Sequence, residues 1–505
     1  MDLGSYRSEY AAYCSALQRE RHEHHAGRAP EPHLAPLRDR YADLWTRETI
    51  DELRRKLDDT PAHFETERAG LRALVHAACL NHAEASADEV AAELARCEAA
   101  ACVEWGGEKI GAAETVELIA READATRRRE LAARWFDALR PCDDLRAARL
   151  YALAECVRAL GFDGPRSLYE DASGVSLHGL ASAADSFLER TAPTYMSHLA
   201  RSTARENAFA AVGSLSHADE LFFGRAKRLD ALLTPRGERA AYAELMAGLG
   251  VRVEQQKNLI VEDGERGAST ACFGVRPPDE VYLVAAGDAH AAWKSYSDFF
   301  FEAGRAQHFA WSSPETAARR PEFIHAADAA ARTAAGFLFK SLFYDATWGV
   351  ECLRLRPVEA RELARSAALL ELLDTRRDCA ALRYALAVDE AGGVLSEQLA
   401  EAYLSLYGEA TGFARDPATR LLDTAGALDA AGRLRARLLA ASLREHLRSR
   451  YGHRWYASRA AGGELTDIWN TALLHPAEQL ARLAWGGTLE FDLLTEELKA
   501  TMEGD

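Results

Sequence analysis

A mostly α-helical fold of two or more lobes, carrying one small β-meander, is the architecture this sequence predicts, on three observations. The chain has 505 residues, more than a single hydrophobic core accommodates. Apolar residues recur three and four apart over most of it, on a background of Ala, Leu, Arg and Glu. One stretch only, residues 251–285, alternates in the manner of short strands between turn signals.

The first 250 residues read as almost continuous helix. Sets such as Leu71, Leu74, Ala78 and Leu150, Leu153, Val157 mark buried faces. Breaks fall at Gly106-Gly107, between Gly161 and Pro165, and between Pro235 and Gly237. An N-terminal helical lobe over 1–165 and a second region over 166–505 follow. In the meander, Val251 to Glu254, Asn258 to Val261, Thr270 to Val275 and Val281 to Val284 are the strand candidates. The pair Asp263-Gly264 is a turn. A helix over 288–311 starts behind Gly287, with Asp288 as its N-cap. Ala292, Tyr296, Phe299, Ala303 and Ala306 line one face of it, and Phe301, Arg305 and His308 the other. The alanine-rich stretch His325 to Tyr344 reads as one more helix. The rest is helical to about Leu498, with turns at Gly392-Gly393, Gly426, Gly452 and Gly462-Gly463.

Composition narrows the function classes. The hydrophobic fraction of 48% and the charged fraction of 28% describe a globular protein, not a disordered one. A net charge of −17 with no basic stripe argues against nucleic acid and anionic membranes as partners. Arg127-Arg128-Arg129 reads as a solvated helix face. No run of eighteen apolar residues exists, so no membrane helix is expected. The polar N-terminus shows no secretory signal. The nine cysteines are irregularly spaced with no C-x-x-C pair. This predicts free, mostly buried thiols in a reducing, cytoplasmic compartment and no disulfide framework.

The chemistry concentrates in Phe300-Phe301-Glu302-Ala303-Gly304-Arg305-Ala306-Gln307-His308. This segment resembles the active-site helix of M3-family zinc peptidases of the oligoendopeptidase F and thimet type, which reads H-E-x-G-H-A-x-H. In that motif two histidines at i and i+4 share a helix face and one zinc, and the glutamate between them is the general base. Here glutamate, glycine, alanine and the last histidine match, while the two ligand positions hold Phe301 and Arg305. Arg332-Thr333-Ala334-Ala335-Gly336-Phe337-Leu338-Phe339 resembles the family's T-E-G-Y-A-F-L-F, with Thr333 where the third ligand stands. The meander sits where the family places its substrate-binding edge strand. Leu434-Arg435-Ala436-Arg437, Leu443 to Leu447 and the run Arg454 to Gly462 extend the likeness, which spans Val251 to Trp485.

The resemblance implies a two-lobed zincin-type fold and a site without zinc. A catalytic zinc needs about three protein ligands. Phe301 has no donor atom, Arg305 remains protonated, and Thr333 is a poor ligand. The leading expectation is a pseudopeptidase that binds a peptide or another carboxylate-bearing ligand. Two alternatives stand beside it: a zinc-independent enzyme with Glu302 as acid or base and Arg305 as anion holder, and residual metallo-oligopeptidase activity through other ligands.

Several residues carry a plainer reading as well. Glu302 and Arg305, three apart, form an ordinary intrahelical ion pair, or else the guanidinium stands in for the metal and holds a ligand carboxylate. His308 is a hydrogen-bonded supporting histidine. His290, His308 and His325 lack metal-site spacing, and Asp328 is a displaced ligand with no identifiable partner. Tyr451, His453 and Tyr456 fall in the family's oxyanion-stabilising region, or close a helix at Gly452. Cys272 lies on the edge strand as a ligand-facing or simply buried thiol. His22, His24 and His25 read as an exposed helix end.

Overall fold

The computed structural model describes residues 1–29, 32–205, 215–264, 269–285 and 291–504. Along the chain come helix α1 (Leu3–His25), helix α2 (Glu65–Ser86) and the strands β1 (Cys102–Trp105) and β2 (Glu108–Gly111). Helices α3 (Ala125–Leu139) and α4 (His217–Arg225) precede the strands β3 (Leu259–Asp263), β4 (Ala271–Arg276) and β5 (Glu280–Ala285). Then follow α5 (Ala292–Ala310), α6 (Ala330–Lys340), α7 (Asp429–Tyr451) and α8 (Arg459–Asn470). No helix among the described residues is long and apolar enough to cross a membrane.

Two compact units divide the chain, and each is discontinuous. The first gathers Met1–Ala85, Leu229–Ala364 and Arg435–Leu494; the second gathers Ser86–Arg228, Arg365–Leu434 and Thr495–Asp505. Residue 165, the boundary expected from sequence, lies inside the second unit. Pattern reading follows the chain in order, so it does not detect a unit assembled from three separated pieces.

The second unit corrects three expectations. Around Gly106-Gly107 the chain forms an antiparallel hairpin rather than a break between helices, pairing Val103 with Ile110. Both glycines have positive φ, 63° and 90°, which a tight hairpin turn demands. The strands bury only Val103 and Ile110, too few for a legible alternation. Arg128 is fully buried on α3 instead of solvated, and it shares Asp219 of α4 with Arg129 at 2.5 and 2.7 Å. Cys97 and Cys142 form a disulfide, against the expectation of free thiols throughout.

In the first unit, Val251 to Glu254 is not a strand. Gly250, at φ 87°, terminates the helix Glu238–Gly248, and the Val251 N–H closes back on the Met246 carbonyl at 2.8 Å. A short 3-10 turn follows over Val253–Gln255. The remaining strands form a three-stranded sheet of order β3-β5-β4, with β3 parallel to β5 and β4 antiparallel to it. It is therefore a mixed sheet and not a meander. β5 takes the centre because Val281, Leu283 and Val284 are all fully buried, which suits a strand covered on both faces. At the end of α1, His22 is buried, stacks on Tyr282 at 3.9 Å and bonds Glu262 at 2.5 Å; His24 alone of the three is exposed.

The stretch His325 to Tyr344 is broken, not one helix. Asp328 interrupts it: Arg435 of α7 pairs with its carboxylate at 2.7 Å, and the same carboxylate accepts the Ala330 N–H at the start of α6. Asp328 thus has a partner more than a hundred residues away along the chain. Gly462 is no turn either, for it lies inside α8. A Cβ there would stand 1.9 Å from the Leu249 carbonyl oxygen, so glycine serves close packing at that point.

Close helix packing in this unit also joins α5 and α6. A Cβ on Gly304 would sit 2.1 Å from the Ala335 carbonyl oxygen, and one on Gly336 2.7 Å from that of Phe301. Contacts pair Phe301 with Phe337 and Phe309 with Arg332, so the helices run antiparallel. Gly304→Ala raises helix propensity by about 1 kcal/mol but drives a methyl group into backbone. A net loss of about 1–3 kcal/mol is expected in urea unfolding, and a stabilised variant would contradict this packing.

Candidate functional site

The site grows from how α5 is held. Phe299, Phe300, Ala303 and Ala306 are fully buried. The Phe300 ring packs edge-on against Phe343 at 5.1 Å and Trp348 at 5.4 Å. On the next turn, buried Gln307 exchanges amide hydrogen bonds with Gln256 at 2.8 and 3.0 Å, donates to the Tyr242 hydroxyl and accepts from Trp311. These contacts set the rotation of α5 about its axis. Phe301 and Arg305 are left half-buried beside α6 and β4, while His308, expected on the same side, is fully buried. Asp288 and His290 lie outside the described residues.

Glu302 is enclosed on three counts. Arg305 directs one terminal nitrogen, Nη1, at both carboxylate oxygens, at 2.7 and 2.9 Å. The backbone N–H of Cys272 on β4 donates to Oε2 at 3.1 Å. The Glu302 side chain is 11% exposed and that of Arg305 is 32% exposed. The pair is thus partly shielded from water, where charge attraction exceeds its value on an open helix. The Arg305 Nε is buried without a hydrogen-bond partner. Burial, and then the charge of Glu302, push the Cys272 thiol well above its ordinary pKa, which disfavours it as a nucleophile.

Arg332 completes the cluster, and sequence reading passed over it. It is buried, its guanidinium lies 3.7 Å from the centre of the Phe309 ring, and Nη2 donates to the Ile324 carbonyl at 2.5 Å. Its Nε is buried with no hydrogen-bond partner, and among the described residues no carboxylate forms an ion pair with it. Burial, then the charge of Arg305, bring its pKa down to about 9. One signal was available: Arg332 is the sole charged residue between Asp328 and Lys340, in a run otherwise uncharged and rich in alanine.

His308 bonds the backbone of Ala472 through one ring nitrogen, while Nδ1 is buried and unpartnered. Burial, then the charge of Arg332, hold it neutral with a pKa well below the usual histidine range; the same two causes bring His325 to about 3. Thr333 is half-buried on α6, between the Gly304–Ala335 and Phe309–Arg332 contacts. Tyr451 and Tyr456 are engaged elsewhere. Tyr451 donates to Glu464 at 2.6 Å, Tyr456 is buried and donates to Glu351 at 3.0 Å, and His453 is exposed. No hydrogen bond or ion pair joins any of them to Glu302 or Arg305 among the described residues. Gly452, at φ 81°, ends α7 as expected.

A zinc ion does not fit these residues. Phe301 offers a ring, Arg305 and Arg332 are cations, and the one carboxylate is already occupied by Arg305. Among the described residues, no three His, Cys, Asp or Glu converge in a way that could hold a metal.

Comparison with known proteins leads to the fold. No protein-family model and no curated protein matches the chain. Among solved structures it is similar to the carboxypeptidase of Pyrococcus furiosus, at TM-score 0.64 and 11% identity over 99% of both chains. It is similar to metallocarboxypeptidase 1 of Trypanosoma cruzi, at 0.63 and 13% over 99% of this chain and 98% of that one. A structure assigned as oligoendopeptidase F follows, at 0.63 and 14% over 98% and 95%. The mostly helical fold is that of these metallopeptidases, and at such identity the likeness speaks for the fold alone.

Two outcomes test the site. Arg305→Ala leaves Glu302 with only the Cys272 N–H and is expected to lower stability by about 1–2 kcal/mol, a figure reduced for the exposure of Arg305. His308 is depressed in the folded state, so its contribution is complete above about pH 6.5 and is lost as pH falls below that value. As pH falls below about 6.5, the unfolding free energy should drop from this residue at up to about 1.4 kcal/mol per pH unit. In His308→Gln that slope becomes shallower by about one proton. An unaltered slope would show that His308 is not held neutral.

Proposed function

We propose that this protein is a pseudopeptidase: a metallopeptidase fold whose zinc motif has degenerated to Phe301-Glu302-Ala303-Gly304-Arg305, binding a peptide or other carboxylate-bearing ligand without cleaving it. The observation that carries this reading is the capture of the Glu302 carboxylate by Arg305 Nη1 and the Cys272 N–H. A general base must accept a proton from the attacking water. Here the carboxylate is committed to a permanent cation and an amide. Water that is not bound to a metal remains near its bulk acidity, about pKa 15.7, and is a poor nucleophile toward an amide.

The α5–α6 register supports the assignment of the three former ligand positions. Phe301 meets Phe337 at 5.0 Å, Arg305 lies one turn on, and Thr333 stands on the facing stretch of α6. Each replacement has a physical consequence. The aromatic ring fills space in which an imidazole would point at a metal. The guanidinium supplies the positive charge that the inherited glutamate requires. Threonine removes a carboxylate that a metal-free site could not neutralise.

The test is restoration. The natural protein, incubated with zinc and dialysed, should carry well under one zinc per chain by elemental analysis and should leave quenched fluorescent peptides intact. The triple variant Phe301→His, Arg305→His, Thr333→Glu should bind about one zinc per chain. Stoichiometric zinc and peptide turnover in the natural protein would overturn the reading. A folded triple variant without zinc would show that Thr333 is not the third position.

A further inference from the structure

Two buried or half-buried guanidinium groups and one carboxylate leave this site with an unbalanced positive charge. Glu302 is consumed by Arg305 Nη1 alone, which accounts for one end of that guanidinium and leaves its Nε and Nη2 edge. Nε of that edge is buried with no partner. Arg332 uses Nη2 on the Ile324 carbonyl and its face on Phe309, and its Nε is likewise buried without a partner. His308 is held neutral and bonds the Ala472 backbone through its other nitrogen, so its Nδ1 is an acceptor and adds no donor here. Arg305 and Arg332 also repel each other: the charge of Arg305 is one of the causes that lower the Arg332 pKa.

Buried donors without acceptors are rare in folded proteins, because each forfeits the hydrogen bonds it had in water. A buried cation without a counterion is rarer still. Two such nitrogens in one cluster, both on guanidinium groups, describe a site whose acceptor arrives from solution. The side chain of Arg305 as a whole is 32% exposed, so solvent reaches this guanidinium. The required acceptor is an anion with several oxygens, since a guanidinium edge presents two parallel N–H groups that match an oxyanion.

We infer that Arg305 and Arg332 together bind one oxyanion, a carboxylate or a phosphate group, at the place where the fold's metalloenzymes would carry a metal. Arg305 offers its Nε–Nη2 edge, Arg332 its Nε, and the anion screens the two cations from each other. Glu302 acts as a positioning residue that keeps Arg305 turned so that this edge remains available. The inference deepens the pseudopeptidase reading and rests on it, because an intact zinc site would leave no room for an anion bound this way.

The experiment uses the full chain and three probes: the dipeptide Gly-Ala, its C-terminal amide, and inorganic phosphate. Gly-Ala should raise the melting temperature by about 1–3 °C at saturating concentration, and the amide should have no effect. If phosphate stabilises more than Gly-Ala does, the oxyanion is a phosphate group, and binding by the same pair stands. Arg305→Lys keeps the charge but lacks the fork. It should weaken binding of the effective probe about tenfold or more by calorimetry while its own melting temperature stays within about 2 °C of the natural protein. Arg332→Gln should weaken it similarly. If that variant does not fold, the natural protein and Arg305→Lys still decide. Equal stabilisation by acid and amide, no stabilisation by either anion, or undiminished binding in Arg305→Lys would refute the inference. None of these results touches the zinc measurement above, so a protein without zinc and without anion binding loses this inference and keeps the pseudopeptidase reading.

Discussion

The near-contact of two helix backbones at Gly304 and Gly336 is the constraint on which the site depends. With no side chain at either position, α5 and α6 approach until a methyl group would overlap carbonyl oxygens of the opposite helix. That approach turns sequence separation into proximity. It brings Phe301 against Phe337, Phe309 under Arg332, and Thr333 opposite the turn that carries Arg305. A wider crossing would let water reach both guanidinium groups and dissolve the electrostatics that make the cluster distinctive.

Charge balance then decides what the cluster can do. In a metal site the ion carries the positive charge and the protein supplies the ligands. Here the protein supplies the positive charge itself, and among the described residues Glu302 is the only carboxylate that answers it. The neighbouring groups add no counter-charge, for His308 is held neutral and the Cys272 thiol is held protonated by burial. The donor set is unsuited to zinc, and the uncompensated buried charge is the ground for the anion proposed at this site.

Much of the fold was legible in the letters. Helical periodicity marked α2, α5 and α7, and the apolar run Val281 to Val284 marked β5. The end of α7 at Gly452 followed from glycine's tolerance of positive φ. Several errors share one cause, which is a distant partner overriding a local signal. Asp328 breaks a helix because Arg435 pairs with it, Gly462 stays helical because Leu249 packs against it, and Arg128 is buried because Asp219 receives it. The mixed sheet was misread because adjacency of strands in sequence does not determine adjacency in space. β5 claims the centre through its fully apolar composition.

At the site the division is similar. Residue types alone determined that Phe301, Arg305 and Thr333 are a poor donor set for zinc, because donor chemistry belongs to the side chain and needs no coordinates. The helical spacing of Glu302 and Arg305 likewise determined that they would meet. Tertiary structure decided that one nitrogen of Arg305 satisfies Glu302, that Cys272 joins through its amide rather than its thiol, and that the hydroxyls of Tyr451 and Tyr456 are committed to Glu464 and Glu351. It also decided the part played by Arg332, a residue with no motif around it. Periodicity can count a charge in an alanine run. Whether that charge faces water or a second cation depends on which helix crosses it, and at what distance.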